Sequence, residues 1–143
     1  MFNNMNQLES PDYTIPFLGK VVDNNDPKKL QRVKVEIPNL LTGDPASLPW
    51  CFPAQHSLFG MTDSAYSAGV PVIGSTVMVE LQNGDIHYGM VRSCLHTSTS
   101  NVTGELATNY PNRRGWLDPA SNLFYVDITA GQVVVHFLHK SGT

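Results

Sequence analysis

The side chains in this sequence that could support metal or acid–base chemistry are five histidines and three loop carboxylates. The histidines are His56, His87, His96, His136 and His139. His136 and His139 are three positions apart in a predicted strand, which places them on opposite faces and prevents them from chelating one ion. One histidine from each of three chains could still meet on a symmetry axis, but we expect surface or packing roles and no metal site.

The carboxylates Asp23, Asp26 and Asp44 fall in predicted loops near the start of the chain. Acid–base catalysis needs a pocket and shifted pKa values, and no partner groups surround these residues in the sequence. Asp26 precedes Pro27, which favours a role in forming a turn. The sequence contains no G-x-S-x-G, H-E-x-x-H or P-loop pattern. We therefore expect no enzyme: no catalytic residue and no cofactor.

One basic cluster could bind nucleic acid. It consists of Lys28, Lys29, Arg32 and Lys34. Single-strand binding also needs aromatic side chains on which bases stack, and here these would come from Phe59 and Tyr66 in a long loop. The net charge of −3 argues against such a role. We expect a solvated or partner-facing cluster, and nucleic-acid binding remains the alternative function.

The two cysteines, Cys51 and Cys94, are expected to be small core residues in a reducing compartment, with a single disulfide as the alternative. Without a C-x-x-C motif, zinc has little support. Trp50, Phe52 and Trp116 suit either a core or an interface, because buried aromatic residues dominate both. Only 15% of residues are charged, which hints at surface that is buried against partners.

Period-two alternation predicts the strands that position these residues. Val33, Val35 and Ile37 alternate with charged residues, so the segment 32–37 is predicted to be a half-buried strand with Arg32 and Lys34 outward. Further strands are predicted over 17–24, with a bend or bulge at Gly19, over 49–54 as a sheet edge between prolines, and over 76–82 and 86–94 around an Asn83-Gly84 hairpin turn.

The last part of the chain carries a second predicted hairpin, over 122–128 and 132–139, turning near Ala130-Gly131. Both faces of its second strand are mostly apolar, and a lone two-stranded hairpin is marginal in water. We therefore expect residues 120–143 to be ordered only where copies of the chain associate.

These elements predict an all-β protein with a five-stranded antiparallel barrel of the OB type; a small β-sandwich is the alternative. The expected organisation is a flexible arm over 1–16, the barrel over 17–95, a linker over 96–119 and a final hairpin segment over 120–143. Residues 1–7 lack the features of a signal peptide, and no apolar run approaches a membrane span, so we expect a soluble protein made in a cytoplasm.

Several short motifs occur in a characteristic order along this chain. They are Gly19, Val21-Val22, Asp26-Pro27, Leu30-Gln31-Arg32, Val33-Lys34-Val35, Leu48-Pro49-Trp50, then Pro71, Gly74 and Val77, and finally Gly89. In this order they resemble the N-terminal OB domain of the central spike protein of contractile phage tails. The valine-glycine repeat spike of type VI secretion has a similar two-part design. More loosely, residues 110–114 resemble a stretch that follows the barrel, and residues 122–143 resemble the first turns of the triple-stranded β-helix needle. The resemblance therefore implies that residues 120–143 are the start of a trimeric β-spike.

The resemblance implies a structural protein of the tail baseplate in the virion, made in the host cytoplasm, that connects the hub ring to the membrane-puncturing needle. It implies a homotrimer with the hub and baseplate proteins as partners, and possibly a separate needle or tip protein. It implies no nucleic-acid partner and no stable membrane insertion of this segment. Some relatives insert a lysozyme domain after the barrel, but the linker predicted here is too short for one. A cell-wall hydrolase accessory domain is the remaining rival.

Overall fold

Eight strands and three 3-10 turns make up the part of the chain that the structure, a computed structural model, describes: residues 15–54, 68–97 and 102–141. The chain divides into two units, Met1–Leu95 and His96–Thr143. The first unit contains β1 (Phe17–Asp23), β2 (Val33–Glu36), β3 (Trp50–Pro53), β4 (Thr76–Leu81) and β5 (Gly89–Leu95). In the described residues, no helix is long and apolar enough to cross a membrane.

The five strands of the first unit close into a barrel in the order β1-β2-β3-β5-β4, which confirms the predicted all-β OB-type fold. One detail of the prediction is wrong, because β3 and β5 pair in parallel and the barrel is mixed rather than purely antiparallel. Strands joined by hairpins must alternate in direction, whereas β3 and β5 become neighbours only when the barrel closes.

Strand β3 was expected at a sheet edge, and this is also wrong, since β2 and β5 pair with it on its two sides. The proline that suggested an edge, Pro53, is the last residue of the strand. Beyond it, the N–H of Ala54 donates to the Val91 oxygen at 2.7 Å, so the missing N–H of proline does not interrupt the pairing.

The barrel encloses an aliphatic core. Val33, Val35 and Ile37 are at most 2% exposed, as the alternation in β2 predicts. The other members of this core are Val21, Leu41, Leu48, Cys51, Val77, Val79, Leu81 and Val91. Gly19 and Gly89 face this packed interior: a Cβ at Gly89 would lie 2.7 Å from the Cys51 Sγ, and one at Gly19 would lie 2.8 Å from the Glu36 oxygen. The bend or bulge expected in β1 at Gly19 is found slightly later in that strand, where the register shifts between Val21 and Asp23.

The Asn83-Gly84 signal correctly predicts that β4 and β5 pair antiparallel, but the connection is longer than a two-residue turn. Asn83 and Gly84 have φ values of 53° and 74°, the left-handed conformations that this dipeptide adopts readily. Backbone bonds then continue the turn, with the Asp85 N–H donating to the Gln82 oxygen and the Tyr88 N–H to the Asp85 oxygen. Strand β5 consequently begins at Gly89 rather than at residue 86.

The second unit is a three-stranded antiparallel sheet of β6 (Arg113–Leu117), β7 (Leu123–Asp127) and β8 (Val134–Leu138), in that order. The predicted final hairpin corresponds to β7 and β8. Strand β6 lies in 96–119, where the sequence predicts a linker. Its Arg-Arg-Gly-Trp-Leu sequence has no period-two pattern, and it is a strand because all five residues pair with β7. Tertiary pairing thus overrides a weak local signal.

Candidate functional site

The loop between β1 and β2 is organised by an ion pair of very low exposure. The Asp26 carboxylate accepts two bonds from the Arg32 guanidinium, from Nη2 at 2.6 Å and from Nε at 3.0 Å, and the two side chains are 3% and 12% exposed. The backbone N–H groups of Lys28 and Leu30 also donate to this carboxylate, at 3.0 and 2.8 Å. The Arg32 bonds, together with these N–H groups, hold the Asp26 pKa well below its usual range. Asp26 therefore forms the turn, as predicted, and also pairs with the strand that follows.

Lys34 is on the outer side of β2, as the alternation predicts, but it is buried there, so the expectation of a solvated or partner-facing side chain is wrong for this residue. It is only 7% exposed, and its Nζ donates to the oxygens of Pro45 at 2.8 Å and Ala46 at 2.9 Å. The same ammonium lies 4.9 Å from the centre of the Trp50 ring. The 3-10 turn Pro45–Ser47, which Asp44 caps, supplies these carbonyl groups and shields the lysine.

On the outer face of β2 and β3, basic and aromatic side chains of the same chain therefore contact one another and form a cation–aromatic cluster. The Arg32 Cζ lies 5.4 Å from the Trp50 ring centre and 5.6 Å from that of Phe52. Trp50 is half-buried, whereas Phe52 is 44% exposed. Such contacts stabilise packing between a cation and an aromatic ring that have lost water.

The predicted basic cluster is thus divided into two parts. Arg32 pairs with Asp26, and Lys34 donates to backbone oxygens of the barrel unit. Of the four, only Lys28 and Lys29, in the loop, are exposed. Phe59 and Tyr66, the proposed stacking residues, lie outside the described residues, as does His56. The engaged cations and their stacked rings weaken the case for a nucleic-acid surface here, because strand binding needs accessible positive charge.

Asp127 on the central strand β7 organises the second unit. Its side chain is 1% exposed and accepts bonds from Asn109 Nδ2 at 2.9 Å and Arg113 Nε at 3.1 Å. Arg113 also pairs with Glu105 at 2.8 Å, which ties the 3-10 turn Gly104–Ala107 to β6. Bonds from Thr129 and Asn109, with Arg113, keep the Asp127 pKa far below its ordinary value. The sequence shows Arg113 only as half of a basic pair and does not predict this clamp.

Aromatic rings extend from this clamp across the same face of the sheet. The Arg113 Cζ lies 4.3 Å from the centre of the Tyr125 ring, and Tyr125 stacks on His136 with centres 5.0 Å apart. His136 is half-buried, which agrees with a packing role. His139 instead contacts the Ser141 hydroxyl at 2.7 Å. No group of three potential His, Cys, Asp or Glu metal ligands occurs in residues 15–54, 68–97 and 102–141.

The opposite face of this sheet is apolar and open. Register places Trp116, Phe124 and Phe137 side by side across the three strands, with ring centres 6.1 and 4.6 Å apart between neighbours. Val126 and Val135 form the next pair on the same face, and the exposed Arg114 of β6 pairs with Val126 at its margin. We call the five apolar residues Trp116, Phe124, Val126, Val135 and Phe137 the apolar face. Its outer members are strongly exposed: Trp116 is 55%, Val135 60% and Phe137 73% accessible.

Strand β8 also leaves apolar side chains open on its other face. Val134 is 43% and Leu138 37% exposed, and Val133, directly before the strand, is 76% exposed. Of its five residues, only His136 is polar. A strand with this composition therefore has few groups on either face that favour contact with water.

The two cysteines have different environments, and both are free. Cys51 is fully buried in the barrel, as expected, and burial raises the pKa of its thiol to about 11. Cys94 is exposed, so the expectation that it is a core residue is wrong. It follows the register shift in the β4–β5 pair, close to the end of β5.

A groove of about 560 Å³ lies on the barrel beside β1 and β2. Its lining consists of Leu18, Gly19, Lys20, Glu36, Pro38, Asn39, Thr42 and Thr76. The three carboxylates that were considered as catalytic candidates are not in this lining. Asp23 accepts the Asn25 N–H, Asp26 pairs with Arg32, and Asp44 accepts the Ala46 N–H. These bonds are typical of structural turns and caps.

Comparison with known families identifies the barrel. Residues 17–96, more than half of the chain, match the family model of the type VI secretion system/phage-baseplate injector OB domain. The chain belongs to this family. The matched segment covers β1 to β5, so the predicted resemblance to the N-terminal OB domain of a baseplate spike protein is confirmed. A search of curated proteins found no match. The injector OB domain gives this chain a structural role in a baseplate.

Proposed function

We propose that this chain is part of the central spike of a contractile tail, where three copies connect the hub ring to the membrane-puncturing needle. The apolar face, in the unit that follows an injector OB domain, is the observation that supports this most strongly. A monomeric soluble protein rarely leaves so many adjacent aromatic and aliphatic side chains open to water.

Threefold assembly accounts for this surface. Cyclic symmetry presents the same apolar face from each copy to one axis, where the three faces can form a shared core. Fully burying one large apolar side chain contributes roughly 1.5–3 kcal/mol, so the three most exposed members would supply a substantial driving force in each copy. The aromatic row from Trp116 to Phe137 would then lie inside the trimer.

In this proposal the chain does no catalysis. It resides in the virion at the tail baseplate, contacts hub and baseplate proteins, and meets a needle or tip that further residues or another protein supplies. It neither binds nucleic acid nor inserts stably into a membrane. Its contribution is mechanical, because a closed ring of hydrogen-bonded strands resists deformation when the sheath contracts.

Quantitative mass spectrometry of purified tail particles tests this proposal. We expect the chain in the baseplate fraction at three copies per tail. A chain that is absent from the particles, or present at the copy number of tube subunits, would contradict the spike assignment.

Two assays of the purified chain test the rival functions. Retention on a single-stranded DNA column that weakens with salt would favour the nucleic-acid alternative. Release of soluble fragments from peptidoglycan would contradict a role without catalysis.

A further inference from the structure

The tip of the β1–β2 loop presents two lysines and a leucine in a defined conformation. We call Lys28, Lys29 and Leu30 the loop tip. All three are exposed, Leu30 by 49% of its surface. Below them, Asp26 accepts the N–H groups of Lys28 and Leu30, and its own carbonyl oxygen accepts the N–H of Lys29 at 3.0 Å. The loop tip is therefore held by the backbone, which leaves its side chains to face outward.

This conformation has a local energetic cost. Lys29 and Gln31, on either side of Leu30, have φ values of 56° and 61°, in the left-handed region that residues with a Cβ rarely adopt. Such strain persists only where surrounding contacts enforce it, and it is concentrated at functional positions. Here the Asp26–Arg32 pair supplies the enforcing contacts.

The lysines of the loop tip also differ from three other basic residues of the barrel. Arg32 is paired with Asp26, Lys34 with two carbonyl groups, and Arg92 with Glu80 at 2.7 Å. Within the part of the chain that the structure describes, the ammonium groups of Lys28 and Lys29 have no such partner. Their charge is available to another molecule.

A second loop adds exposed aliphatic side chains next to this one. Asn24 Nδ2 donates to the Pro71 oxygen at 3.1 Å, and the Gly69 N–H donates to Gln31 Oε1 at 3.0 Å, so residues 69–71 are attached to the β1–β2 loop. Immediately after them, Val72 and Ile73 are 47% and 61% exposed. The barrel therefore combines positive charge with aliphatic surface on two connected loops.

We propose that the loop tip docks onto a different baseplate protein, at a surface where carboxylates surround an apolar depression. This inference rests on the proposed function and names the chemistry of one partner. Leu30 would enter the depression while Lys28 and Lys29 pair with its acidic rim, as interfaces place apolar contacts centrally and charges peripherally. A rigid loop loses little conformational entropy on binding. An aliphatic tip offers no ring for stacking on a base, which favours protein over nucleic acid.

Zero-length carbodiimide cross-linking of intact tail particles tests the proposal, because this reagent joins amines only to carboxylates in direct contact. We expect Lys28 or Lys29 to be linked to an Asp or Glu of another baseplate protein. Lys20, exposed on the barrel wall, is the matched control and should remain unlinked. The inference is overturned if the particles contain the chain but its loop-tip lysines are unlinked or are linked to a second copy. If the particles lack the chain, the proposed function itself fails.

A double variant removes the two lysine charges of the loop tip without changing its backbone bonds. In Lys28→Gln/Lys29→Gln the backbone bonds to Asp26 remain, so the free energy of unfolding of the barrel should equal that of the wild type. We expect its rate of incorporation into tails to fall about tenfold at low salt and to approach the wild-type rate at high salt, as for electrostatically steered association. An unchanged rate at low salt would overturn the proposal. So would binding of a single-stranded oligonucleotide that the substitutions abolish.

Discussion

The two units of this chain differ in how completely their strands are paired and their apolar side chains buried. In the barrel every strand has a partner on both sides, and the valines of β2 and β4 are completely buried. In the three-stranded sheet only the central strand β7 buries residues, namely Leu123, Tyr125 and Asp127, while Trp116 and Phe137 remain open on the apolar face.

This difference indicates where each unit obtains its stability. The barrel is complete within one chain, since closure removes free edges and encloses the core. The sheet is stabilised by a polar clamp on one face, and the apolar side chains of its other face are exposed. We therefore expect the barrel to fold independently of assembly, and the stability of the sheet to depend on it. Because the chain has two tryptophans, Trp50 in the barrel and Trp116 in the sheet, each unit contains its own fluorescent reporter.

The largest loss of barrel stability is expected from Asp26→Asn, because this change leaves the Arg32 guanidinium without its carboxylate partner. Breaking a buried pair in this way costs about 3–5 kcal/mol of unfolding free energy. Urea unfolding in a Trp116→Phe background, followed by Trp50 fluorescence, measures the barrel alone. Asp44→Asn, at an exposed turn cap, is the control and should cost far less. A loss at position 26 equal to that of the control would contradict the importance of this pair.

A smaller loss of unfolding free energy is expected from Gly19→Ala. The new methyl group would enter the packed interior near the Val35 side chain and 2.8 Å from the Glu36 oxygen. Overpacking of this kind costs about 1–3 kcal/mol. Gly69→Ala, in the same unit, would place its methyl group where no atom lies within 4 Å, so it is the control without overpacking. The Trp50 transition should move in Gly19→Ala and not in Gly69→Ala. If the two variants behave alike, close packing at Gly19 is not the cause.

Acid should destabilise the barrel partly through Asp26. Its pKa is lower in the folded than in the unfolded state, so its stabilising contribution is complete above the unfolded value of about 3.9 and is lost as the pH falls toward the folded value. The wild-type unfolding free energy should therefore decrease between about pH 5 and 2, and Asp26→Asn should show a shallower decrease. Parallel pH profiles for the two proteins would show that this carboxylate is not the linked group.

The reactivity of the two thiols tests the closed barrel with the least change to the protein. Cys94 is exposed and should react promptly with an aromatic disulfide reagent. Cys51 is buried with a pKa raised to about 11, so it should react only when the barrel opens. One thiol per native chain and two in urea are expected, with Cys94→Ser removing the prompt reaction. Rapid reaction of both thiols in the native protein would contradict a closed barrel.

Much of the barrel could be predicted from sequence because its signals are local. Alternation identifies β2, and Asn-Gly identifies the β4–β5 pair. The parallel β3–β5 pairing could not be predicted in this way, since it arises only when distant strands close the ring. The burial of Lys34 could not be predicted, because periodicity reports the side of a strand and not what covers that side; here the turn at Pro45–Ser47 covers it.

The sheet was predicted less completely. The composition of β8 indicated apolar side chains on both faces, and the exposed Val133, Val135 and Phe137 agree with this. Strand β6 and the Arg113–Asp127 clamp were missed, because Arg113, Asp127 and Asn109 are separated in sequence and converge only through register. No local pattern identifies such a contact.

The most direct test of an incomplete sheet that is completed by assembly is the mass of the purified chain, measured by light scattering. The account predicts three times 15.7 kDa for the wild type. It also predicts a single-chain mass for Phe137→Asp, which places a charge on the apolar face, with the Trp50 transition of the barrel unchanged. Tyr88→Asp, at an exposed aromatic residue of the barrel, should keep the threefold mass. A wild type with a single-chain mass, or a Phe137→Asp variant with the threefold mass, would contradict assembly through this face.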